Sequence, residues 1–93
     1  MKEKAKKIAD MLKILANENR LRILCALMEG QMTVGTLSEF VKDITQSALS
    51  QHLTLLKAAG IVSSEKKGQN VTYSIADKRV EELIETLRKH YCE

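Results

Sequence analysis

Ninety-three residues with a net charge of +3, 44% hydrophobic composition and no proline leave room for one small domain spanning residues 1–93. That length sits near the lower end of what buries a core unaided. Two cysteines without close spacing exclude a disulfide scaffold. No continuous apolar run makes a signal peptide or membrane span, so a cytoplasmic location and no membrane partner are expected. Residues 1–30 carry a net +3 and residues 44–76 a net +2, while 31–43 and 77–93 each carry −1. The placement favours an anionic partner.

Lys4 to Leu15 reads as a helix with Ile8, Met11, Leu12 and Leu15 on one stripe. Asn17 caps a second helix, Glu18 to Glu29, closed by Gly30. Its Leu21, Leu24, Cys25 and Met28 share a face, with Ile23 and Leu27 beside them. Thr33 caps a short third helix holding Leu37, Phe40 and Val41, and Lys42 to Ile44 link it to the next.

The fourth helix is unusual. Thr45 is its N-cap, and Gly60 stands where a left-handed residue ends a helix. At 100° per residue, Gln46, Lys57, Ser50, Thr54, Ser47 and Gln51 fall on one arc of roughly 140°. Ala48, Leu49, Leu53, Leu55 and Leu56 occupy the remainder, and His52 falls among them at about 240°. Short amides and hydroxyls suit hydrogen bonding to base edges in a DNA major groove. A merely solvated face more usually carries Glu and Lys pairs.

Ile61 to Lys66 and Val71 to Ile75 are β-prone runs around the turn-forming Lys67-Gly68-Gln69-Asn70. Val71, Tyr73 and Ile75 form the packing face, and Lys66 and Lys67 stand at the tip, where ammonium groups reach phosphates. Asp77 opens a last helix through about Tyr91, with Val80, Leu83, Ile84, Leu87 and Tyr91 as its stripe. The expected fold is mainly α with a small β-hairpin: four helices, the hairpin and a closing helix, a winged helix-turn-helix. The stripes of the first and last helices either cover the chain's own core or pack against a twofold mate. A dimer would suit a palindromic duplex site.

Three segments carry a family resemblance. They are Leu15-Ala16-Asn17-Glu18-Asn19-Arg20-Leu21-Arg22-Ile23-Leu24, Ser47-Ala48-Leu49-Ser50-Gln51-His52-Leu53 and Leu56-Lys57-Ala58-Ala59-Gly60-Ile61-Val62. From about Ala9 onward the chain resembles the ArsR/SmtB winged-helix repressors, although Glu18 stands where many members have proline. The resemblance implies a homodimer that represses operator DNA until an inducer binds.

Family members differ in what they sense. The thiolate metal site of the third helix would fall on Thr33, Gly35 and Ser38, none of which is such a ligand. At the last-helix metal site, which the family shares across its dimer, Asp77, His90 and Glu93 match, but Arg79 replaces an imidazole with a fixed positive charge. Zinc sensing through those three residues is therefore the minor alternative, and no cofactor is expected. Cys25 and Cys92 resemble the pair of the thiol-sensing branch, the BigR/SqrR/HlyU type, which links its two sulfurs in response to reactive sulfur species or oxidants. The bland reading makes Cys25 a small core residue and Cys92 an inert surface thiol. An alternative of another class is a protein-interaction module, since winged helices also bind proteins. Two histidines outside any nucleophile–base–orienter pattern give catalysis no footing.

Overall fold

A computed structural model describes residues 1–91. They form α1 (Lys2–Leu15), α2 (Glu18–Leu27), β1 (Met32–Thr33), α3 (Val34–Phe40), α4 (Gln46–Ala58), β2 (Val62–Lys67), β3 (Asn70–Ile75) and α5 (Lys78–Tyr91). This is the winged helix-turn-helix expected from the pattern of elements.

The helix starts follow side-chain chemistry. Asn17 accepts hydrogen bonds from the backbone N–H groups of Asn19 and Arg20, both at 3.0 Å. Thr33 accepts from Thr36 at 3.1 Å, Thr45 from Ala48 at 3.0 Å, and Asp77 from Arg79 at 2.9 Å. Each satisfies donors that a helix start leaves without partners. At the end of α4, Gly60 takes φ +76°. Its N–H reaches Lys57 O at 3.0 Å and that of Ile61 reaches Leu56 O at 2.9 Å, the two bonds of a Schellman motif.

Gly68, at φ +63°, begins a two-residue turn between the paired Lys67 and Asn70. Positive φ at the first central residue is the requirement of a II′ hairpin. The sheet also holds a strand that sequence patterning did not anticipate. Met32 pairs with Tyr73 and Thr33 with Thr72, giving the antiparallel order β1-β3-β2. Two residues are too few to display an alternation, so β1 carries no local signal.

The core is apolar, with no buried polar or charged residue among the described residues. Ile23, Leu24, Leu37, Val41, Leu49, Leu56 and Val80 are fully buried, and Leu53, Ile61, Val62 and Ile84 nearly so. The buried face of α2 centres on Ile23, Leu24 and Leu27, whereas Leu21, Cys25 and Met28 are only half-buried. The α2 helix also stops at Leu27, two residues short of the expected Glu29. Leu55 and Val71, read with the apolar faces, are exposed, as are Ile8 and Leu12 of the first-helix stripe. In α5, Val80 and Ile84 are buried, but Leu87 is 37% and Tyr91 82% exposed. The α5 helix folds back onto α2, and Arg88 bonds Glu29 at 2.9 Å.

Open space surrounds the Gly60 Cα, so a substitution there meets backbone strain and no clash. Gly60→Ala should destabilise the domain by about 1 kcal/mol, and Gly60→Asn by less. Denaturant melts of the three proteins check this ordering.

Candidate nucleic-acid interface and cysteine groove

The packing of Leu49, Leu53 and Leu56 inward turns the opposite side of α4 to solvent. Gln46, Ser47, Ser50, Gln51, Thr54 and Lys57 are all exposed there, and Lys66 and Lys67 are exposed at the hairpin tip. Ser47, Ser50, Gln51 and Thr54 line one shallow concavity together with Leu55 and Ala58. Gln46 and Lys57 flank it. The sequence pattern puts Leu55 in the apolar remainder of the wheel and gives Ala58 no face. Ala58, at about 120°, sits inside the polar arc, and Leu55, at about 180°, sits at its edge. Helical angle, read without regard to residue type, is the signal that finds them.

Two side chains of this face are already engaged. Thr54 Oγ1 donates to Ser50 O at 2.9 Å. Lys57 Nζ donates to Ser64 Oγ at 2.7 Å, tying the helix to β2. At the tip, Lys67 pairs with Glu65 at 3.3 Å, and both are exposed. Such a pair is weak and yields readily to a phosphate.

His52 lies behind the exposed arc, half-buried, with Nδ1 3.5 Å from a guanidinium nitrogen of Arg20. Arg20 is itself held by Nε donation to Ile14 O at 2.6 Å. Burial, and then the Arg20 charge, push the His52 pKa below its ordinary 6.5.

Cys25 is half-buried on the flank of α2 and lines a groove of about 680 Å³. Leu21, Ala26 and Phe40 supply apolar walls, with Arg22 and Arg88 among the charged residues around them. Because α5 contributes Arg88, the groove lies where the last helix meets the second. The other sensing candidate, Cys92, lies outside the described residues, as does Glu93.

The remaining zinc-site candidates do not assemble within one chain. Asp77 and His90 stand near opposite ends of α5, about 20 Å apart along its axis. Arg79 clamps Asp77 instead, donating from Nε at 3.2 Å and from its terminal nitrogen at 3.1 Å. Those hydrogen bonds hold the Asp77 carboxyl below its ordinary pKa. Among the described residues no three His, Cys, Asp or Glu side chains gather into a metal-holding group. Where the family site has an imidazole this chain has the Arg79 guanidinium, which satisfies the Asp77 carboxylate and is no metal ligand.

Zinc should accordingly bind poorly to the unmodified protein. Arg79→His should raise zinc affinity by about tenfold or more. Calorimetric titration checks both, and tight binding abolished by His90→Ala would overturn the expectation. His52 sets a pH dependence. Its folded pKa is depressed, so the stability it contributes is present above about pH 6.5 and lost as pH falls through the lower folded value. Asp43 and Asp77, held below 3.8, act only in more acid solution. Melts across this range should show the mildly acid loss in the native protein and not in His52→Gln.

Among the described residues no helix is long and apolar enough to cross a membrane. Residues 17–64 match the model of the bacterial regulatory proteins of the arsR family. Over 93 residues the chain is 41% identical to the transcriptional activator HlyU of Vibrio cholerae, covering 100% of this chain and 85% of that protein. It is 38% identical over 92 residues to the biofilm growth-associated repressor of Agrobacterium fabrum, covering 99% and 78%. Reduced HlyU from Vibrio cholerae superposes with a TM-score of 0.93 at 41% identity, covering 100% of this chain and 97% of that one. The transcriptional repressor BigR from Xylella fastidiosa superposes with a TM-score of 0.89 at 31% identity, covering 100% and 94%. An exposed polar arc on a helix-turn-helix, a basic wing beside it and this likeness along the whole chain identify the protein as a member of the arsR family of DNA-binding regulators, which are not enzymes.

Proposed function

We propose that this chain is a homodimeric repressor that occupies a palindromic operator and releases it when Cys25 and Cys92 become linked. The observation that carries the DNA half is the exposed arc of Ser47, Ser50, Gln51 and Thr54, seated on three buried leucines and flanked by the wing. Gln46, Ser47, Ser50 and Gln51 face base edges, and Thr54, Lys57, Lys66 and Lys67 approach the phosphates. The two relatives bear the names of an activator and a repressor. Occupying DNA is the physical act common to both, and repression is its most direct consequence because occupancy excludes other proteins.

Second copies would meet through α1 and α5, where Ile8, Leu12, Leu87 and Tyr91 stay exposed. Large apolar side chains of this kind favour burial against a mate. Replacing Gln51 by Ala should cost about 1–3 kcal/mol on a duplex selected from a random pool and relax sequence preference. Replacing Lys66 and Lys67 by Ala should weaken all duplexes alike and flatten the salt slope. Equal loss on selected and random DNA for the Gln51 variant would refute the division of roles.

The sensing half rests on the groove that Cys25 lines together with Arg88 of α5. In sequence Cys92 follows Arg88 and Lys89, cations that favour a thiolate. That thiolate attacks the outer sulfur of a persulfide RS–SH, gaining one sulfur and expelling the thiolate RS⁻. The Cys25 thiolate then attacks the inner, Cys92-derived sulfur and expels hydrosulfide. Both cysteines are oxidised, and the persulfide is reduced to thiol and sulfide. Further persulfide lengthens the bridge.

Glutathione persulfide should therefore produce a bridged species by mass spectrometry together with lost operator affinity. Neither Cys25→Ser nor Cys92→Ser should respond. Unchanged binding after bridging, or normal release by the serine variants, would overturn the sulfur switch.

A further inference from the structure

We propose that the Arg22–Asp43 ion pair is the link through which the cysteine groove acts on the DNA-reading helix; this role rests on the thiol-switch reading above. Arg22 and Cys25 stand three residues apart on α2, and both line the groove. The Arg22 guanidinium leaves the groove to grip Asp43 with two parallel bonds, one at 2.6 Å to Oδ1 and one at 3.1 Å to Oδ2. Asn19 braces the same guanidinium at 3.2 Å.

Asp43 belongs to the connection between α3 and α4, two residues ahead of the Thr45 N-cap that starts the reading helix. The groove also touches this connection from its other end. Phe40, the last residue of α3, is 53% exposed and forms one groove wall. A change in groove shape therefore meets both ends of the segment that seats α4. Val41 is fully buried and holds the connection in the core, and Asp43 is its polar tether to α2.

Global stability is not what this contact supplies. Both side chains are substantially exposed, at 35% and 68%, where an ion pair adds little. Its consequence is positional, because the fork-on-fork geometry fixes direction as well as distance. When a sulfur bridge draws α5 toward α2, the stem of Arg22 must shift, and Asp43 shifts with it.

The sign of one substitution separates this role from simple charge effects. Asp43 is an anion beside the start of a DNA-facing helix, so deleting its charge alone would strengthen binding. A positioning role requires the opposite. The native chain, Asp43→Asn, Arg22→Gln, the double variant and the exchanged pair Arg22→Asp with Asp43→Arg are titrated with the selected duplex, reduced and after glutathione persulfide. In the reduced state each single change should weaken binding by about two- to fivefold. The double change should lose no more, the exchanged pair should recover, and the salt slope should stay constant. After persulfide the native protein should lose about tenfold or more, whereas Asp43→Asn, bridged to the same extent by mass, should change less than about twofold.

Tighter or unchanged binding by reduced Asp43→Asn, additive single losses, or release of bridged Asp43→Asn by the native factor would each overturn the proposal. A native protein that bridges and keeps its duplex would refute the thiol reading instead. Non-additive losses in the reduced variants would then still uphold the pair as a positioning contact.

Discussion

The structure depends on the rotational phase of α4. Leu49, Leu53 and Leu56 point into the core with at most 1% of their surface exposed. Fully burying a leucine contributes about 1.5–3 kcal/mol, so the three together outweigh any single hydrogen bond on the helix surface. Rotating α4 by one residue would withdraw them and drive amides and hydroxyls inward without partners. The polar arc is thus held outward by the burial of the residues between its members. The exposed polar surface of α4 is therefore a consequence of core packing.

Fixing the rotation does not fix the ends, and local backbone chemistry does that. Thr45 starts the helix at one defined residue, and the Schellman bonds of Gly60 and Ile61 turn the chain directly into β2. Lys57, one turn before that glycine, then meets Ser64 on the strand. Helix and wing are joined covalently through the turn and again by the side-chain bond. The tip lysines consequently keep a set distance from the arc, which a rigid groove-and-phosphate contact needs.

What was legible in the sequence followed its local signals. The four side-chain caps and the glycine stop are chemistry within a few residues, and the periods of the helices identified every helix. The misassignments share a cause. Residue type alone groups Leu55 and Val71 with the apolar faces, but burial is decided by which neighbours arrive, and both stay exposed. Met32 and Thr33 became a strand only because β3 presents an edge to them, a partner 40 residues downstream. Arg22 and Asp43 lie 21 residues apart, and nothing in either neighbourhood announces their meeting. Contacts between distant polar residues are set by tertiary geometry, so pattern reading found the surface of α4 and overlooked its tether.

The α2 helix unites these observations. Its inner face is part of an apolar core, and close-packed cores resist small deformations. Polar residues on it and just past its end each lead to a different element: Arg20 to His52 on α4, Arg22 to Asp43 ahead of α4, and Glu29, two residues beyond the helix, to Arg88 on α5. A displacement of the end of α5 therefore meets two paths. Through the core, several fully buried side chains must repack together, among them Ile23, Leu24, Leu49 and Leu53. Along the surface, exposed side chains need only turn about soft torsions while keeping their hydrogen bonds. The second path costs far less, because surface ion pairs are separated by about 1 kcal/mol or less and core rearrangements by several times that. If the proposed thiol switch operates, the polar flank of α2 is the path of lower cost along which it would act.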